Sequence, residues 1–247
     1  MNYRLKIQYD GTRYKGWQRQ RETEMTIQGK LERVLSVYAG REMEIQGAGR
    51  TDAGVHALEQ VANAHFPDKC APEPGKLKDY LNEYLPEDIR VLSAERAGER
   101  FHSRLNARGK RYGYHIIKYG RDCVFQRKYA WKVENILDID KMKKAAGYLL
   151  GTHDFQSFCS RASKKKSTVR TIHTIDIQET DDEIYLIYEG NGFLHNMVRI
   201  LTGTLVAAGS GKLLPKEIPG ILEKKERQNA GETAPAKGLF LEKVYYD

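Results

Sequence analysis

The stretch Gly47-Ala48-Gly49-Arg50-Thr51-Asp52-Ala53-Gly54-Val55-His56 sets a carboxylate, a guanidinium and a hydroxyl side by side among glycines. Glycine reaches backbone conformations closed to other residues and lets a second molecule come close to the main chain. The apolar run Met43 to Ile45 enters this stretch and an alternating segment leaves it, so Asp52 is expected on a loop between strands with its carboxylate facing outward. That position suits a nucleophile or a base; a turn aspartate that only caps backbone amides is the bland alternative. A nucleophilic carboxylate must stay ionised when substrate closes over it. Its ordinary pKa is about 3.9 and burial raises it, so it needs a cation nearby. Arg199, set among Met197, Val198, Ile200 and Leu201, is the candidate cation, because an unpaired guanidinium in an apolar helix is costly. The competing reading has Arg199 snorkelling to the surface.

The charge balance narrows the kind of substrate. The chain carries 41 Lys and Arg against 33 Asp and Glu, a net charge of +8, and neutralising phosphate is the commonest use of such an excess. Arg13, Lys15, Arg19 and Arg21 alternate with Tyr14 and Trp17. Arg100, Arg104, Arg108, Lys110 and Arg111 are interleaved with Phe101, Tyr112 and Tyr114. Cations hold phosphates and aromatic faces stack on splayed bases, which is how single-stranded RNA is gripped, although the same rings serve equally well as core. The segment Arg161 to Arg170, with Lys164, Lys165 and Lys166 in a row, reads as a basic loop.

Other chemistries find little support. Seven histidines include His56 and His65, yet no HExxH or comparable ligand spacing occurs, so no metal is expected. A Walker A loop and a GxGxxG turn are both missing, and no cofactor is expected. Cys70, Cys123 and Cys159 are far apart and read as reduced. No apolar run approaches the roughly 20 residues that span a bilayer, and Met1-Asn2-Tyr3-Arg4 leads into a strand rather than a signal peptide, so a cytoplasmic protein is expected.

The elements that must position these residues follow from periodicity. Leu5, Ile7 and Tyr9 alternate with Arg4, Lys6 and Gln8 in a first strand. Ile27, Leu31, Val34, Leu35 and Tyr38 recur at helical spacing, with Gly40 as the stop. Strands are expected at 43–46, 58–66 and 89–94, and a helix carrying Leu77, Tyr80, Leu81 and Tyr84 ends before Pro86. The second half repeats this grammar with strands at 111–118, 171–179 and 183–189 and helices at 139–150, 193–208 and 215–225. A strand at 239–245 closes the chain. The expected class is α+β: two related strand-helix-strand-strand halves, residues 1–104 and 105–247, sharing a mixed, mostly antiparallel sheet with a cleft between them.

Read in order, these motifs resemble the TruA family of tRNA pseudouridine synthases. The similarity runs through Tyr9-Asp10-Gly11, Tyr14, Gly16-Trp17-Gln18-Arg19-Gln20 and Gly49 to His56. It continues through Phe101-His102-Ser103-Arg104, Lys110 to Tyr114, Gly151 to Phe155, Arg170-Thr171-Ile172, Phe193 to Arg199 and Ala234 to Leu239. The resemblance implies a pseudouridine synthase fold and cofactor-free isomerisation of uridine to pseudouridine at positions 38 to 40 in the anticodon stem-loop of tRNA, by a homodimer. It implies that Asp52 is the catalytic aspartate, that Tyr112 stacks on the target uracil, that Arg199 pairs with the aspartate and that Arg50 supports the flipped nucleotide. Arg19, Arg104, Arg108, Lys110, Lys164 and Lys165 are the further residues expected to touch RNA. The run of lysines at 164–166 exceeds the family pattern. The rivals are a non-catalytic RNA-binding or assembly factor, which gains nothing from a carboxylate in a polyanion's path, and a metal-dependent nuclease or deaminase.

Overall fold

The computed structural model describes residues 1–160 and 167–246, and the chain divides into two compact units. The first comprises Met1–Arg108 together with the chain from Phe240 onward; the second is Gly109–Leu239. Strands and helices are numbered in chain order. The expected segment at 161–166, with Lys164 and Lys165, lies outside the described residues.

In the first unit β1 (Asn2–Tyr9) lies between β4 (Ile89–Ala97) and β3 (His56–His65), antiparallel to both. β2 (Ile45–Gly47) pairs antiparallel with β3, and the final strand β10 (Leu239–Tyr245) runs parallel to β3, with Phe240 opposite His56. β1 keeps the period of two read from its sequence: Leu5 and Ile7 are fully buried while Gln8 is exposed. β3 is more buried than alternation alone would give, with Gln60, Val61, Ala62, Asn63 and Ala64 all buried. Its inward amides are satisfied: the Ser103 N–H donates to Asn63 Oδ1 (2.9 Å), as a buried polar group requires.

Helix α1 (Ile27–Ala39) begins where Thr26 accepts the Gly29 N–H (3.2 Å) and ends at Gly40 in the left-handed region, φ 63°. It buries Ile27, Leu31 and Leu35. Helix α2 (Pro74–Tyr84) starts with proline in its first turn, packs beside β4, and buries Leu77 and Leu81. At about 25 cal/mol per Å² of apolar area, each such leucine contributes roughly 1.5–3 kcal/mol of transfer free energy.

The second unit builds an antiparallel sheet in the order β5 (Gly109–Ile117), β9 (Glu183–Gly190), β8 (Val169–Glu179), β7 (Gly151–Asp154). A two-residue strand, β6 (Trp131–Lys132), runs parallel to β5. Helices α3 (Ile139–Gly147), α4 (Met197–Gly209) and α5 (Ile218–Lys224) complete the unit. The mixed, mostly antiparallel α+β class expected from the sequence is present in both units.

Several boundaries differ from expectation, and two of them have a local reason. The apolar run at 193–208 becomes helical only from Met197, because Asn196 sits in the left-handed region at φ 60°, a conformation that ends helical propagation and that Asn tolerates. The helix expected to reach 150 stops at Gly147, and the chain turns into β7 through Gly151 at φ 94°. α4 is otherwise buried along its length; only Arg199 and Ala207 escape full burial. It is core, as its sequence suggested.

Candidate functional site

The loop that carries Asp52 is held from both ends and from below. At its entrance Gly47 rests on the indole of Trp17, where an added Cβ would sit 2.6 Å from ring atoms, so only glycine fits without moving a side chain that is 2 % exposed. The Ala48 N–H donates to Val61 O (2.7 Å), and Gln60 Nε2 donates to Gly49 O (2.9 Å). The Trp17 N–H donates to Thr51 O (3.0 Å), while the Thr51 hydroxyl meets the Tyr9 hydroxyl at 2.8 Å in full burial. Past Asp52 the Gly54 N–H reaches Tyr14 O (3.3 Å) and the Val55 N–H closes a turn onto Asp52 O (3.2 Å). The main chain on either side of Asp52 is thus fixed by partners far away in sequence, and the Asp52 side chain is half-buried. Arg50, two residues earlier, is exposed.

The supporting layer consists of aromatic side chains. Tyr9, Tyr14 and Trp17 are 2–3 % exposed. Of the two uses open to Tyr14 and Trp17, stacking face or core, the structure gives them the second: they form the underside of the loop. Burial pushes the Tyr9 phenol far above its ordinary value, opposed by the side chains of Thr51 and Gln60. His56, at the loop's exit, accepts the Gly11 N–H on Nδ1 (3.1 Å) and stacks on Phe240 (centroids 4.6 Å apart). Among the described residues no group of His, Cys, Asp or Glu is placed to hold a metal ion.

The basic residues of this unit have unequal surroundings. Arg13 donates through Nε and Nη2 to Asp88 Oδ2 (2.9 and 2.6 Å), and the Tyr14 hydroxyl donates to the other carboxylate oxygen (2.6 Å). Arg19 lies 3.2 Å from the buried carboxylate of Glu32 and 3.3 Å from Glu42, so much of its charge is already balanced. Arg104 and Arg108 are exposed, and the Arg108 N–H donates to Tyr245 O (2.9 Å).

In the second unit, Tyr112 and Lys110 lie on β5 opposite Tyr188 and Gly190 of β9. Lys110 is half-buried. Tyr112 is 7 % exposed, its ring edge-on to Phe193 at 5.3 Å. Three residues after Phe193 comes the left-handed Asn196, whose Oδ1 accepts from Arg199 Nη1 (2.8 Å). Arg199 Nε donates to Ala234 O (2.7 Å). The segment that supplies this carbonyl can lie against α4 because position 203 is glycine; a Cβ there would stand 1.9 Å from Glu232 O. Tyr112 and Arg199 are therefore joined through the turn 193–196, and Arg199 is braced by backbone and amide oxygens within its own unit. Sequence reasoning named Phe193, Asn196, Tyr9, Thr51 and Ala234 only as members of motifs. Their pairings join residues 3 to 81 positions apart, which periodicity does not register.

A half-buried carboxylate on a braced loop, in a basic chain of mixed, mostly antiparallel sheets, fits an enzyme that acts on RNA. The chain belongs to the tRNA pseudouridine synthase family, whose model matches residues 6–106 and 145–247. It is 47 % identical over 245 residues to tRNA pseudouridine synthase A 2 of Bacillus cereus, covering 99 % of both chains. It is 49 % identical to tRNA pseudouridine synthase A of a Bacillus species and 44 % identical to that of Thermoanaerobacter pseudethanolicus, again over 99 % of each chain. None of the helices among the described residues is long and apolar enough to cross a membrane.

Proposed function

We propose that this chain isomerises uridine to pseudouridine at positions 38 to 40 in the anticodon stem-loop of tRNA, as a cytoplasmic homodimer that requires no cofactor. The observation that supports this most is the loop 48–55, braced on both sides of a half-buried Asp52 in a chain of the tRNA pseudouridine synthase family. Uracil has to be detached from ribose, turned and rejoined through C5 without escaping to solvent. Asp52 supplies the nucleophile, either by attacking C1′ or by assisting elimination toward a glycal. Holding the loop rigid keeps that carboxylate aimed while the base is free, which is the value of preorganisation in such a step.

The target nucleotide is stacked or paired in the free tRNA, so it has to be extruded at a cost of a few kcal/mol. Tyr112 recovers part of this by stacking on the base, about 1–3 kcal/mol, with Phe193 fixing the plane of its ring. Arg199 is the cation that keeps the reacting carboxylate ionised, and Arg50 supports the extruded nucleotide. Arg104, Arg108 and Lys110 contribute phosphate contacts, and Arg19 contributes less because Glu32 and Glu42 already balance it. The test is to incubate unmodified tRNA with the protein and map pseudouridine along it. Modification confined to positions 38 to 40 is expected; modification elsewhere, or none, would overturn the proposal.

A further inference from the structure

A groove lies between α3 and the 3₁₀ turn Pro215–Glu217, away from Arg199. It encloses about 580 Å³ and is lined by Lys144, Gly147, Tyr148, Leu214, Pro215 and Lys216. Its walls leave two large apolar side chains to solvent, with Tyr148 45 % and Leu214 49 % exposed. Two carboxylates nearby are already engaged: Glu217 Oε2 accepts the Leu214 N–H (2.7 Å), and Asp138 accepts the Lys141 N–H and pairs with its ammonium (3.1 Å), while Asp140, one turn before Lys144, is exposed. Among the described residues neither Lys144 nor Lys216 is in an ion pair. α3 packs on the far end of α4, where a Cβ on Gly209 would stand 2.7 Å from Met142 Cγ. At 1.5 Å per residue, Gly209 is about 15 Å along the axis from Arg199.

We propose that this groove is a second RNA contact that takes one unpaired nucleotide of the tRNA, its base against Tyr148 and Leu214 and its phosphate between Lys144 and Lys216. The inference rests on the tRNA reading above and adds a contact to it. An aromatic wall beside unpaired ammonium groups matches the two halves of a nucleotide, since every base has a stackable face and every phosphodiester is anionic. An acidic or apolar protein segment would use only one of these features. A second copy of the chain would bring the same excess of positive charge, +8 in each, against these lysines.

The test measures tRNA binding across a salt series for the full-length wild type and for Tyr148→Ala, Tyr148→Phe, Lys216→Glu and the Lys144→Ala/Lys216→Ala pair, with sedimentation of each and pseudouridine formation by the wild type on the same tRNA. Removing both lysines, and with them the neutralisation of one phosphate, should reduce the slope of log affinity against log salt by about 0.7, the value for one phosphate of single-stranded RNA. Tyr148→Ala should weaken binding about five- to hundredfold at an unchanged slope, as expected for one lost stack, and Tyr148→Phe should bind like the wild type. Lys216→Glu, a surface change on a short turn, should weaken binding more than alanine does. If the wild type makes pseudouridine while every variant binds with unaltered affinity and slope, the groove inference is overturned and the functional reading survives. Variants that change self-association and leave RNA binding alone would also overturn it. A wild type that forms no pseudouridine would remove the reading on which it rests.

Discussion

The hydroxyl pair beneath the reactive loop gives the sharpest energetic prediction. Tyr9 and Thr51 share one hydrogen bond of 2.8 Å, and both side chains are buried, at 3 % and 7 % exposure. Tyr9→Phe leaves the buried Thr51 hydroxyl without that partner, whereas Thr51→Val leaves the phenol only the Gln60 side chain and so lies at the lower end of the cost. An orphaned buried hydroxyl costs about 1–3 kcal/mol, whereas removing both partners is close to neutral. Each single variant should therefore lose about 1–3 kcal/mol in urea unfolding, and the double variant should lose less than the sum by roughly 1 kcal/mol or more. Because Thr51 adjoins Asp52, both single variants should also slow single-turnover pseudouridine formation more than they weaken tRNA binding. Single losses that add to within about 0.3 kcal/mol would show that the two hydroxyls are not coupled, and an unchanged single-turnover rate would refute the claim that this bond positions the loop.

Three other perturbations probe different parts of the account. Gly47→Ala forces a methyl against the buried indole of Trp17, so it should destabilise the protein by about 1–3 kcal/mol, and combining it with Trp17→Leu should recover part of the loss. Arg199→Leu should reduce turnover more than tRNA affinity; a single-turnover rate equal to wild type would dismiss its role in keeping the carboxylate ionised. Burial is the main cause that pushes the phenols of Tyr9, Tyr114 and Tyr188 above the ordinary value of 10.0. Above that pH the unfolded chain releases protons that the folded chain retains, so the stability these three phenols contribute should be constant below pH 10 and fall as pH rises beyond it. Tyr188→Phe should make the alkaline fall shallower, which urea titrations at several pH values would detect.

Much of the fold was legible because burial has a period. Alternation in β1, the helical spacing and Gly40 stop of α1, and Pro86 just past the end of α2 each act through neighbouring residues, so a local pattern is enough. The start of α4 was not legible, because Asn196 adopts a left-handed conformation that its turn imposes and no propensity specifies. The reactive loop was visible as a cluster of glycines around Asp52. Its rigidity was not, because the hydroxyl, amide and indole that hold it come from β1, from residue 17 and from β3. The basic run that holds Arg13 and Arg19 was read from neighbours in sequence, which concealed that they are balanced by Asp88, Glu32 and Glu42.

The central claim concerns one carboxylate, and tritium release from tRNA labelled at C5 of uridine tests it most directly, because the new glycosidic bond replaces that hydrogen. Wild type should release tritium in step with pseudouridine formation, while Asp52→Asn should bind the same tRNA and release none. Release by Asp52→Asn at a rate near that of the wild type would contradict the account.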